Sequence, residues 1–162
     1  MAKDDAPILG VHLAAGVVWF GLVSTGGEPV DDRADRLALE DHKLGEPRAL
    51  SELEESLQAL FVRLKPRVVA LLNAGTSKQA MSPSDARRRG QLEAVVLLAA
   101  QRTSTDVVRV THDMVKKTFA VTPASKELRP IVAKELGIDP TPKWDTRAPA
   151  FASALVTARE IG

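Results

Sequence analysis

The stretch ILGVHLAAGVVWFGLVS, Ile8 to Ser24, decides how the rest of the chain is read. Two short apolar runs flank Ala14-Ala15-Gly16, small residues suited to a tight turn, so the segment predicts a hairpin that opens a sheet. Val17 to Val23 is the returning strand, closed by the turn Ser24-Thr25-Gly26-Gly27. The polar side chain at the centre of the first run is His12.

Outward from the hairpin, alternation over Ala34 to Glu40 predicts a third, half-exposed strand. Pro47 opens a helix in which Leu50, Leu53, Leu57, Leu60, Phe61 and Leu64 keep a helical period, while Glu52, Glu54 and Glu55 face water. Ser51 and Glu54 have capping-box spacing, which leaves the start open by one turn. Pro66 stops this helix, and Val68 to Leu72 is a continuous apolar run, the pattern of a strand buried on both faces. Asn73 to Ser77 reads as a loop. Ser82-Pro83-Ser84-Asp85 starts a helix with a serine cap, a proline at the first position and an acid in the first turn. Leu92, Val95, Val96 and Ala99 form its buried stripe.

Asp106 to Val110 predicts another strand, and Thr111 caps a short helix through Lys117. A further helix is expected from Ala124 to Leu136, with Leu128, Ile131 and Leu136 inward, Pro130 kinking it or resetting its start, and Gly137 closing it. After the linker Asp139 to Lys143 comes a last helix rich in small residues (Ala150, Ala152, Ser153, Ala154, Ala158), which let it lie close on a sheet.

The 162 residues suit one domain spanning 1–162. Hydrophobic residues at 44% and charged residues at 27% are those of a globular α/β protein, and no apolar run approaches the ~20 residues of a membrane span. Met1 to Pro7 does not read as a secretory leader. Zero cysteines exclude disulfides, thiolate metal sites and a thiol nucleophile, and fit a cytoplasmic setting. A net charge of +1 leaves the matter of partners to the local distribution of charge.

Three antiparallel strands followed by alternating helices and strands is the order of ribonuclease H-like folds, and several other α/β sandwiches share it. The segment VKKTFAVTPASKELRPIVAKEL, Val115 to Leu136, resembles a segment of RuvC-type Holliday-junction resolvases: Val115-Lys116 opens a short helix and Ala124-Ser125-Lys126 starts the next. LGVHLAAG (Leu9–Gly16) is similar to that family's first strand and VVALLNAG (Val68–Gly75) to its fourth. RRRGQLEAVVLLAA (Arg87–Ala100) resembles the helix that follows, and DTRAPAFASALVTA (Asp145–Ala158) the last helix.

The resemblance implies a mixed central sheet flanked by helices and, in active relatives, carboxylates holding two divalent ions for phosphodiester cleavage. At the matched positions this chain departs from that pattern. The first-strand acid falls on His12, the fourth-strand acid on Leu72 or Asn73, and the last-helix acid on Pro149, or on Ala148 one register away. Asp145 is the remaining nearby acid, an upstream ligand or a helix cap. The resemblance therefore implies a degenerate nuclease that does not cut and that binds nucleic acid, branched or duplex DNA, or another protein through the old substrate face. Lys116 and Lys126 would meet phosphates, with Lys117, Arg87, Arg88 and Arg89 able to extend the face.

No metal or other cofactor is expected. Mg²⁺ or Mn²⁺ enters only in the alternative reading, a nuclease with a site rearranged around His12, Asp145, Asp113 or Asn73. A third reading is a structural subunit with a protein partner, and dimers are common in the family, which makes a homodimer an expectation.

Simpler roles stand beside these. His12 reads first as a packed, hydrogen-bonded core residue, and Asn73 as a turn former. His112 and Asp113, adjacent on a helix, diverge and make no catalytic pair. Arg87, Arg88 and Arg89 spread over about 200° of helix arc, so at most two face one way. Asn73 to Lys78 is only faintly like a phosphate-binding loop, because it lacks the required glycine–lysine spacing.

Overall fold

The computed structural model describes residues 5–40, 44–74, 82–139 and 144–161. Its elements, in order, are β1 (Ile8–Ala14), β2 (Val17–Val23), β3 (Arg36–Ala38), α1 (Glu46–Leu64), β4 (Val68–Leu72), α2 (Pro83–Arg102), β5 (Val107–Val110), α3 (His112–Phe119), α4 (Leu128–Leu136) and α5 (Trp144–Ile161). They form a mixed sheet of order β3-β2-β1-β4-β5, antiparallel through the first three strands and parallel from β1 to β4 to β5.

The opening hairpin forms where the sequence puts it. Ala14 pairs with Val17, and the two turn residues Ala15 and Gly16 both take positive φ (50° and 75°), the twist a two-residue hairpin requires. Alternation along β1 sends Leu9, Val11 and Leu13 to one face and Ile8, Gly10 and His12 to the other. The first face packs on the leucines of α1 and the Leu92–Val96 stripe of α2. The second packs on α3, α4 and α5.

On that second face α5 lies almost on the backbone. A Cβ added to Gly10 would sit 1.8 Å from the Ala150 carbonyl oxygen, and one on Gly21 would sit 2.6 Å from the Phe151 nitrogen. Glycine under a helix of small residues is what lets the two surfaces meet. Ser153, fully buried, donates to the Ala70 carbonyl of β4 at 2.9 Å and fixes the helix along the sheet.

Several expectations shift. The third strand shrinks from Ala34–Glu40 to three residues, because β3 is an edge pairing only with Trp19, Val18 and Val17. The first helix starts at Glu46 with Gly45 as N-cap, so Ser51 and Glu54 lie inside it rather than at its cap. Glu54 does not face water: it is buried, accepting from Gln58 (2.7 Å) and Arg102 (2.9 Å). The short helix after β5 runs on to Phe119, whose ring is buried.

The helix expected from Ala124 begins at Leu128 instead. Residues 122–127 form turns closed by Ser125 N–H to Thr122 and Leu128 N–H to Ser125, which puts Pro130 in the first turn, where its missing N–H costs nothing. Ile131 is only half-buried there. The linker over 140–143 and the loop over 75–78 lie outside the described residues.

Candidate functional site

Open sheets with parallel strands gather ligands at the strands' C-terminal ends, where side chains and loops converge. In this chain that end belongs to β1, β4 and β5. The β1–β4 register pairs Val11 with Leu71, so the next rung sets His12 beside Leu72. Both face the α5 side, the same face on which α5 buries Ala148, Pro149 and Ala150. The positions singled out on β1, β4 and α5 thus share one face of the sheet.

What stands at those positions is one imidazole among apolar side chains. Leu72 is buried in the α5-side core, and Pro149 is buried inside α5. Asp145 is not the N-cap, since α5 begins at Trp144; its carboxylate is exposed and paired with Arg129 at 3.0 Å. Asp113 is exposed in the first turn of α3.

Asn73 is held by three bonds. Its N–H donates to Val110, its carbonyl meets His112 Nε2 at 3.1 Å, and its side-chain oxygen accepts from Arg109 at 3.0 Å. Arg109 also pairs with Glu93 of α2. These contacts tie β4, β5, α2 and α3 together and occupy the side-chain oxygen that a cation would need.

Arg89 of α2, one of three consecutive arginines expected to extend the basic face, is the one that turns inward. Its guanidinium reaches the strand ends, donating from Nη1 to the Leu13 carbonyl at 2.6 Å and from Nη2 toward the Leu72 carbonyl at 3.4 Å. A fixed positive charge therefore sits where β1 and β4 both end, beside His12. The only clue in the sequence was the triple arginine, and helical geometry alone could not say which member turns inward.

His12 is half-buried but not a hydrogen-bonded core residue: its Nδ1 is buried with no partner among the described residues. Burial, then the nearby charges of Arg89 and His112, press its pKa down to about 4, so the ring is neutral at pH 7. Burial lowers His112 as well, against the pull of its bond to Asn73. Arg89 loses part of its basicity to burial yet keeps its charge.

The three arginines diverge as their spacing requires. Arg87 turns to α1 and pairs with Glu46 at 2.6 Å, so it does not extend the strand-end face. Arg88 lies over the hairpin turn and, with Arg89, lines a cleft of about 490 Å³ that also includes His12, Ala15, Gly16 and Asp85. Lys116 and Lys117 are exposed on α3, Lys116 one helical turn beyond His112. Lys126 is exposed in the turn before α4, and none of the three lysines forms an ion pair with a described residue.

Two Mg²⁺ ions require several carboxylate or other oxygen ligands around one point. The residues at the strand ends do not fit that requirement. They offer a neutral imidazole, apolar side chains and a guanidinium, and no group of three or more metal-ligating side chains forms among the described residues.

No family profile matches the chain, and no curated protein matches it either. Solved structures do. A structure of Thermus thermophilus RuvC in complex with a Holliday junction substrate is similar at a TM-score of 0.73 and 19% identity, covering 93% of this chain and 90% of that one. A second Thermus thermophilus RuvC structure gives 0.68 and 20%, covering 93% and 92%. The yeast mitochondrial Holliday junction resolvase Ydc2 gives 0.59 and 14%, covering 98% and 80%. With its mixed five-stranded sheet flanked by helices, this chain has the ribonuclease H-like fold of the RuvC-type resolvases it matches.

Proposed function

We propose that residues 1–162 act as one RuvC-like domain that binds nucleic acid at the C-terminal end of its parallel strands and does not cleave it. One observation carries this reading: the guanidinium of Arg89 is bonded to the ends of β1 and β4, where the resemblance calls for carboxylates around metal ions. Cations attract the phosphate backbone without metal, and they do so with little regard to sequence. Arg88, Lys116, Lys117 and Lys126 are exposed cations that can add to that attraction. The likeness to a RuvC structure bound to a Holliday junction supports branched DNA as the first ligand to try. A cytoplasmic setting and a homodimer belong to the same proposal.

Fluorescence polarisation with four-way-junction and duplex DNA at two salt concentrations tests it. Binding should weaken steeply with salt, and Lys116→Glu with Lys126→Glu should weaken it at least about tenfold. No binding at low salt, or binding indifferent to the charge reversal, rejects the reading in favour of a protein-docking subunit. Metal-dependent cleavage with Mg²⁺, Mn²⁺ or Zn²⁺ that disappears in His12→Ala would instead establish a rearranged nuclease.

A further inference from the structure

The buried side-chain nitrogens without a partner among the described residues are His12 Nδ1 and Arg89 Nε, and both residues line the cleft between the β1–β2 turn and α2. A buried polar nitrogen left unpaired costs about 1–3 kcal/mol, so each of these calls for a partner. Arg89 carries its charge into the cleft wall, and Arg88 approaches from the solvent side across Gly16. Arg88 donates no hydrogen bond to a described residue, whereas its neighbour Arg87 is committed to Glu46. The acid lining the cleft is Asp85.

We infer that this cleft is a metal-independent phosphate site: Arg88 and Arg89 clamp the oxyanion and a ring N–H of His12 donates a hydrogen bond to it. A phosphate group fits the chemistry on three counts. It is anionic, it offers several acceptor oxygens, and guanidinium forks match its geometry. A divalent cation does not fit, because two guanidiniums repel it. The inference rests on the proposed nucleic-acid reading only in naming a backbone phosphodiester as the natural source of that phosphate. The cleft itself is argued from its own residues.

The imidazole is the reporter. Long-range ¹⁵N–¹H spectra of the full chain, recorded in EDTA, follow the His12 and His112 ring nitrogens during titration with inorganic phosphate and then with thymidylyl-thymidine. His12 signals should move saturably with both probes, and Mg²⁺ added in place of EDTA should leave the dissociation constant unchanged. Arg88→Glu should weaken the response at least about tenfold. Arg88→Gln, which keeps the exposed position polar, should weaken it less. Arg48→Glu, on the exposed face of α1, should leave it intact.

A His12 signal that ignores both probes in the folded protein overturns the inference, as does a response that requires Mg²⁺ or survives Arg88→Glu. The two proposals fail separately. DNA binding with a silent His12 removes the cleft and spares the nucleic-acid reading. A responding His12 without DNA binding supports the cleft and rejects nucleic acid as its partner.

Discussion

Gly10 and His12 lie two residues apart on the same strand and the same face, yet they sit in opposite environments. At Gly10 the sheet and α5 meet backbone to backbone, without room for a methyl group. At His12 the strand instead borders the cleft between the hairpin turn and α2, and the side chain keeps a buried nitrogen with no partner among the described residues. Packing of the first kind holds the fold together. Polarity of the second kind lowers stability unless a partner supplies the missing bond. The transition takes about 7 Å of chain.

The contrast breaks most sharply at the tight end. Gly10→Ala drives a Cβ into the Ala150 carbonyl, a backbone atom that cannot step aside alone. Urea denaturation should show a loss of about 3 kcal/mol or more, or no folded protein. A variant as stable as the parent would mean that α5 does not rest on β1 as described.

His12 comes next, through pH. Its folded pKa lies near 4, below the unfolded value of 6.5, so the unfolded chain binds the proton first. Stability is therefore full above about pH 6.5 and falls as the pH drops toward 4, by on the order of 3 kcal/mol. Burial shifts His112 in the same direction, which steepens the fall. Unfolding midpoints measured at pH 7 and 4.5 should converge in His12→Gln. An equally steep loss in that variant would assign the acid sensitivity elsewhere.

Ser153→Ala sharpens the comparison at smaller scale. It removes one buried hydrogen bond between α5 and β4 while leaving the small-residue contact in place. A loss of about 1 kcal/mol is expected, and the cleft's response to phosphate should not change. If Ser153→Ala also disturbs the His12 resonance, the two regions are mechanically coupled.

Much of this architecture was legible in the chain. Ile8–Ser24 marked its own hairpin, Val68–Leu72 announced a strand buried on both faces, and Ser82-Pro83 set the start of α2 to the residue. Those features are local: period, turn residues and caps act within a few positions. The misses share a different cause. Glu54 is buried because Arg102 and Gln58 satisfy it, and Ala124–Glu127 stays out of α4 because turn hydrogen bonds and Pro130 start the helix later. Neither partner choice is written in a local pattern.

The site divides the same way. That His12, Leu72 or Asn73, and Pro149 or Ala148 stand at the positions matched by the resemblance could be read from the sequence. Which of three consecutive arginines faces the strand ends could not, because helical spacing fixes their angles to one another but not the rotation of α2 on the sheet. Packing of Leu92 and Val96 into the core fixed that rotation and aimed Arg89 at the carbonyls of Leu13 and Leu72. The sequence by itself determined the order of elements and the small-residue face of α5 that lies on the sheet. Only the tertiary structure decided where positive charge gathers, because that depends on long-range burial rather than on spacing along the chain.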